Sequence, residues 1–344
     1  MRSNITGFRK NIIFVFLCVF LIIMQSCMRK ADTIGQFDKN KVKGVCCEER
    51  IVSLEKPGFL TNIFRHGDFI VAQNRTTDSI ISFSMDGKVI SEYDKPGTGP
   101  GEMSEYSNLW VIKEGIAYIT DSKNNKVLLL KVDPGTGELA FEDEFYIDSG
   151  QIVSLDVFEP GRLLVTTAMS DYKISEYNLT GNFVSGYGTV DKTKLTPTKV
   201  MESAYRVTAA PQGLLNSGIF NGELEFYSFE DDKPELITKA KAAYYVKKGG
   251  MPPRPSVMMT TCYKEGYLIL TALPEGEKMS LLESYTWEGE FDGFIIVEDQ
   301  KEIDVVLVYP FGNDGSVAYQ KYVWDEENEK FSLNSHELII GHIE

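Results

Sequence analysis

One motif recurs along this chain and limits what it can fold into more than any other feature. An apolar residue, any residue, a second apolar residue and an acidic or hydroxyl turn-opener appear as "SFSMDGK" at 82, "LKVDPGTGE" at 130, "EYNLTGN" at 176, "FYSFEDDK" at 226, "SYTWEGE" at 284 and "KYVWDEE" at 321. The first apolar positions are Phe83, Leu130, Tyr177, Tyr227, Tyr285 and Tyr322, at intervals of 47, 47, 50, 58 and 37 residues. Two places on stand Met85, Val132, Leu179, Phe229, Trp287 and Trp324, so one strand face is apolar in every copy. Asp86, Asp133, Thr180, Glu230, Glu288 and Asp325 then open the turn. Asp86-Gly87 is a strong hairpin signal, because glycine takes positive φ without a Cβ clash.

Upstream of each copy lie two more apolar segments. In "LWVIKEGIAYITDSKNNKVLLLKV" the strands are "LWVI", "IAYIT" and "KVLLLKV", and "ELAFEDEFYI" makes a fourth. Four antiparallel strands in about 40 to 50 residues form one propeller blade. No segment longer than two turns carries a helical period, so the class is all-β. The expected architecture is a six-bladed β-propeller over residues 50–344, in blades of roughly 49 residues. A pair of β-sandwiches would also use short strands, but a repeat held in one register throughout disfavours it. The long interval of 58 implies a loop insertion before the fifth blade, and the short one of 37 a curtailed outer strand in the sixth.

The amino terminus reads as an address. Arg2, Arg9 and Lys10 precede Ile12–Met24, an uncharged run of 13 residues. A helix of that length spans about 20 Å, short of the roughly 30 Å of a bilayer core. It therefore fits a signal-peptide core, and it ends in "MQSC", which resembles a bacterial lipobox with cleavage before Cys27 and acylation of that residue. Residues 1–26 are the expected signal peptide, and 27–49 a lipidated cysteine with a polar, flexible tether. The expected location is the cell envelope, lipid-anchored to a membrane.

Composition narrows the partners. The chain carries a formal charge of −15; loss of the leader removes three basic residues and leaves 32 Lys+Arg against 50 Asp+Glu, or −18. Such a field repels nucleic acid, which binds through cationic contacts. Outside the leader and Cys27, the cysteines are Cys46, Cys47 and Cys262, an odd number, and Cys262 could pair with either of the others. Their spacing matches no zinc pattern.

Two stretches carry a family resemblance. "AYITDSKNNKVLLL" resembles an NHL-type blade, whose second and third strands are joined by an Asp-x-x-Asn turn before a basic residue and Val. Asp121, Asn124 or Asn125, Lys126 and Val127 hold those places here. "GTGPGEM" at 97–103 is similar to the loop after the first blade in six-bladed bacterial propeller lipoproteins of the TolB-like/NHL-like group. The resemblance implies the same fold and location and specifies no activity.

The glycine loop "YDKPGTGPGEM" at 93–103 could suggest a phosphate cradle. A P-loop needs Lys after its last glycine and a helix at once, whereas this loop places Glu102 there. It reads as a stiff joint carrying the chain from the rim of one blade to the axis of the next. His66, His336 and His342 form no metal pair, and no nucleophile elbow is present, so no catalytic residue is assigned. Cys262 reads as a buried structural thiol. No cofactor is implied; calcium is the ion that "DSKNN" at 121 or "EDD" at 230 could take, though Asx-turns account for both. One basic stretch stands out, "YYVKKGGMPPRPS" at 244–256. Tyr244, Tyr245, Lys247, Lys248 and Arg254 are its candidate contacts for an acidic partner. The sequence thus points to an envelope-anchored binding module for a protein, peptide or glycan. The alternative is a metal-dependent propeller hydrolase or lyase with an Asp/Asn/Glu-lined axial site.

Overall fold

The computed structural model describes residues 32–34, 38–148, 150–159, 161–168, 170–190, 204–230, 233–243, 245–247, 257–271, 280–297, 303–311, 315–325 and 330–344. Every long element is a strand. The first two are β1 (Asp32–Ile34) and β2 (Val42–Ser53). A first blade follows: β3 (Leu60–His66), β4 (Phe69–Asn74), β5 (Ser79–Ser84) and β6 (Val89–Tyr93). The second comprises β7 (Ser107–Lys113), β8 (Ile116–Asp121), β9 (Lys126–Val132) and β10 (Leu139–Tyr146). The third comprises β11 (Ile152–Glu159), β12 (Arg162–Thr167), β13 (Tyr172–Asn178) and β14 (Phe183–Thr189). The fourth comprises β15 (Tyr205–Ala210), β16 (Gly213–Gly218), β17 (Glu223–Glu230) and β18 (Lys233–Lys241). Each is a four-stranded antiparallel sheet in sequential order.

The short β19 (Tyr245–Lys247) pairs with β1. The remaining strands are β20 (Val257–Tyr263), β21 (Gly266–Thr271), β22 (Ser280–Thr286), β23 (Phe291–Val297), β24 (Ile303–Pro310), β25 (Ser316–Asp325), β26 (Lys330–Leu333) and β27 (Glu337–Ile343). They share one nine-stranded sheet with β2, ordered β20-β21-β22-β23-β2-β27-β25-β24, with β26 on the flank of β25. The protein is an all-β propeller with four-stranded blades.

Burial follows from that arrangement. The middle strands read as continuous apolar runs, "FIVAQN" in β4 and "KVLLLKV" in β9, because neighbouring blades cover both their faces. Rim strands such as β14, "FVSGYGT", have one neighbour and stay partly open, with Phe183 and Val184 exposed. The cores lie between blades: Val71 and Ile80 pack with Leu109 and Leu128, and Leu164 and Ile174 with Val207 and Tyr227. The repeat anchors Phe83, Leu130, Tyr177, Tyr227 and Tyr285 are each at most 4 % exposed. Burying one such side chain contributes about 1.5–3 kcal/mol. The Asp86-Gly87 hairpin forms as its sequence demands: Gly87 has φ +87°, and a Cβ there would run into the Ser53 carbonyl.

The first strands β3, β7, β11, β15, β20 and β24 touch one another in cyclic order, β24 meeting β3 again. Polar side chains stitch the circle. Gln73 of β4 accepts from Leu109 N–H (3.1 Å) and donates to Ser107 O (2.7 Å). Gln320 of β25 does the same for Leu60 N–H (2.8 Å) and Gly58 O (3.0 Å).

Two expectations need correction. The flexible tether does not reach residue 49: Val42–Ser53 is β2, parallel to β23 through Val42–Cys46 and antiparallel to β27 from Cys46 to Ser53. Gly44, Cys46 and Val52 give β2 its buried side, while Glu48, Glu49 and Arg50 face outward and make the stretch read as linker. The sixth repeat copy falls on the wrong kind of strand. Tyr322 lies on β25, next to β24, and the long end of β25 doubles back onto β26, which gives it the local chemistry of a blade hairpin. Cys262, whose pairing the sequence leaves open, is a free thiol on β20.

Candidate functional site: the axial cavity

The ring of first strands encloses a cavity of about 540 Å³, to which each of them contributes wall residues. That volume lies in the usual range of small-molecule pockets. Much of the wall is apolar, with Ile63, Val111, Leu155 and Met259 among its residues. The polar exceptions are few and come from separate strands.

Two of them occupy bulges. In β3 the pairing with β4 skips between Thr61 and Phe64, and Asn62 there takes φ +50°. Left-handed backbone is uncommon outside glycine, asparagine being among the residues that tolerate it. In β7 the register jumps from Leu109 to Val111, which leaves Trp110 as the extra residue. Its indole N–H donates to Thr120 Oγ1 at 2.8 Å, so the ring is fixed.

Arg206 of β15 lies over that ring, its guanidinium carbon 5.3 Å from the centroid. The side chain is half-buried on the cavity wall, and Nε is buried with no acceptor among the described residues. Burial pulls its pKa below the usual arginine value, an effect offset by the nearby Tyr309 phenol; a guanidinium stays cationic regardless. Burial pushes Tyr309 up to about 12, against the Asn62 backbone N–H it accepts and the charges of Arg206 and Arg75. Trp110, Arg206 and Tyr309 come from β7, β15 and β24, alternate members of the ring.

A second polar group lies on β11. Asp156 keeps a little surface toward the cavity although its carboxyl is deep in the molecule. Burial raises its pKa to about 6, against two backbone donors, Ala209 N–H on Oδ2 (2.8 Å) and Val157 N–H on Oδ1 (2.7 Å), and against the charge of Lys113. Lys113 Nζ donates to the carbonyls of Val157 (2.8 Å) and Phe158 (2.7 Å). Cys262 donates its thiol to Ala209 O at 3.3 Å, and burial, with Asp156 adding, holds that thiol well above the usual cysteine range. Such a thiol is a poor nucleophile. Ala209 and Cys262 also line an adjoining cavity of about 410 Å³.

The glycine loop is a joint. It links β6 to β7, and the anion it cradles is its own: Gly99 N–H donates to Glu102 Oε2 at 2.8 Å. Gly101 N–H goes to Glu144, whose partner Lys126 also donates to Gly99 O. At the NHL-like turn, Asp121 accepts from Ser104, Lys123 and Asn124. That commitment makes it an Asx-turn carboxylate. Among the described residues no group of three His, Cys, Asp or Glu is placed to hold a metal.

The predicted partner-binding residues are not gathered in the axial cavity. Tyr245 and Lys247 are the ends of β19, opposite Ile34 and Asp32 of β1. Tyr244, Lys248, Arg254 and the proposed lipid site Cys27 lie outside the described residues. Sequence reading missed Trp110, Asp156, Arg206 and Tyr309. The available signal was a charged residue inside an inner strand, as in "IVSLDVFE" and "YRVTAA".

No family model matches the chain, and no curated protein matches it. Solved structures do. A candidate exported protein from Bacteroides fragilis superposes with TM-score 0.52 at 11% identity, over 92% of this chain and 94% of that one. A member of the DUF4221 family from Bacteroides vulgatus gives TM-score 0.50 at 10% identity, over 88% and 99%. A candidate 6-phosphogluconolactonase from Bacteroides uniformis gives 0.46 at 13% identity, over 84% of each chain. At these identities the likeness is one of fold.

Proposed function

We propose that this chain is a lipid-anchored envelope receptor, a six-bladed propeller that holds a small molecule in its axial cavity without transforming it. The observation that carries this reading is the cavity itself, with walls drawn from every first strand of the ring. The count of six rests on reading the nine-stranded sheet as two blades, β20–β23 and β24-β25-β27-β2, joined through β2. The matched roles of Gln73 and Gln320 support it, as the latter places β25 beside β3 as β4 is placed beside β7. The TolB-like/NHL-like assignment draws its support from the Asp121–Lys126 turn. Binding is favoured over a metal-dependent hydrolase or lyase because Asp156 spends both oxygens on backbone donors.

The anchor is Cys27. Asp32 of β1 is the fifth residue after it, at most about 18 Å of extended chain away. The pairing of β1 with β19 sets Tyr245 and Lys247 near that anchor, and the acidic partner of the basic stretch, Tyr244, Tyr245, Lys247, Lys248 and Arg254, is to be sought at the membrane. Charge reversal at Lys247, Lys248 and Arg254 weakens capture of that partner without moving the melting temperature. Cys27→Ala releases the protein from membranes, and continued retention would contradict anchoring. For the cavity, Ala209→Trp fills the space and abolishes small-molecule binding with the fold intact by circular dichroism. Binding that survives the filled cavity would place the ligand elsewhere.

A further inference from the structure

We propose that Arg206 is the recognition point for a small organic oxyanion, a carboxylate or a phosphate monoester, held in the axial cavity with its charged end on the guanidinium. This rests on the reading of that cavity as the binding site. A guanidinium offers five N–H donors, and among the described residues the buried Nε of Arg206 meets no acceptor. Burying a donor of a cation without a partner carries a desolvation cost. Such a cost persists in a fold when something outside the chain removes it on binding.

The neighbours do not supply that compensation. Asp156 is the carboxylate on the cavity wall, and both its oxygens are occupied by Val157 and Ala209 N–H groups. The Tyr309 phenol stays protonated at neutral pH and carries no charge. Trp110 contributes its face alone, as a cation–π contact, and its N–H is spent on Thr120. The indole therefore holds the flat guanidinium in place and leaves its in-plane donors for a ligand. A planar donor fork suits a carboxylate or phosphate, which accepts two parallel bonds. Lys113 adds a second positive charge to the wall, with two of its protons on carbonyls.

A bare inorganic anion would leave most of about 540 Å³ empty. The body of the ligand lies against the apolar wall near Leu155 and Met259, which gives it organic character. The whole chain is acidic, so its long-range field repels anions and selection falls to this local charge.

The test is calorimetric titration of the full chain in detergent with three oxyanions, benzoate, glucuronate and glycerol 3-phosphate, against their neutral counterparts benzyl alcohol, glucose and glycerol. At least one oxyanion is expected to bind at least tenfold more tightly than its counterpart; the carboxylate and phosphate arms distinguish the two sources of charge. Arg206→Gln is expected to weaken that binding 10- to 100-fold, the value of a hydrogen bond to a charged group, while Arg206→Lys keeps part of it. The melting temperature of Arg206→Gln stays at or above that of the parent, since the variant removes a charge whose buried Nε has no acceptor among the described residues. Oxyanion binding unchanged in Arg206→Gln, or neutral counterparts binding equally well and lost in Ala209→Trp, would overturn the assignment to Arg206 and leave the cavity reading standing. No binding by any probe, or binding that survives Ala209→Trp, would overturn both.

Discussion

Lys126, wholly buried, and Arg206, half-buried on the axis, are cations treated in opposite ways. Lys126 is wholly out of water, with Nζ 3.0 Å from Glu144 and 2.9 Å from Gly99 O. Glu144 in turn accepts Gly101 N–H, so the ion pair locks the glycine joint to the second blade. Glu225 shows the same economy between the third and fourth blades: burial pushes its pKa up, but Lys173 and Lys239 pull it below the usual range. Arg206 has an aromatic face, and among the described residues its buried Nε has no acceptor. The difference separates two uses of buried charge. At the glycine joint and between the third and fourth blades, the charges of Lys126 and Glu225 are answered by the chain; on the axis, the charge of Arg206 is left for something that arrives later.

The comparison can be broken at several points. Removing one partner of the joint, as Glu144→Ala, leaves Lys126 buried and alone, and chemical denaturation is expected to show a loss of about 3–5 kcal/mol. A loss below about 1 kcal/mol would mean that the joint is not held by this pair. Asp156 comes next. Its folded pKa, about 6, lies above the unfolded value, so burial disfavours the charged form. Its contribution to stability is fully present below the unfolded pKa, near 4, and is lost as pH rises through 6, by at most about 3 kcal/mol. Carbon-13 NMR should place the Asp156 carboxyl midpoint near 6; a midpoint near 4 would show the axis to be as well solvated as the rim.

Smaller effects refine the picture. Gln73→Leu and Gln320→Leu each strand one N–H and one carbonyl between blades, which costs about 1–3 kcal/mol. Similar losses for both would sharpen the equivalence of the two stitches, and a silent Gln320→Leu would undo the proposed closure of the ring. Arg206→Gln is expected to change stability least, within about 0.5 kcal/mol or upward. A loss as large as that of Glu144→Ala would erase the distinction between answered and unanswered charge.

Local chemistry made the strands and joints legible. Asp86-Gly87, the run "KVLLLKV" and the prolines of the glycine loop act within a few residues, and each does in the fold what its neighbours dictate. β2 escaped because its partners, Ile343 and Val297, are remote in sequence, and the exposed charges of "CCEER" mask the few side chains that it buries. Tyr322 misled for the converse reason: the β25–β26 hairpin has the local signature of a blade edge while its place in the sheet is set by distant β24 and β27. The axial residues were hardest to see, since Trp110, Asp156, Arg206 and Tyr309 meet only once the ring has closed.

The pairing of Cys46 with Ile343 has a consequence for birth order. A ribosome releases residue 46 long before residue 343, so β2 must wait, one flank bare, through about three hundred additions before its lasting neighbour exists. Loop-closure entropy makes so distant a handshake slow. Until it happens, the nascent chain is an open arc with a sticky end at each tip, and that interval is when a chaperone has most to do.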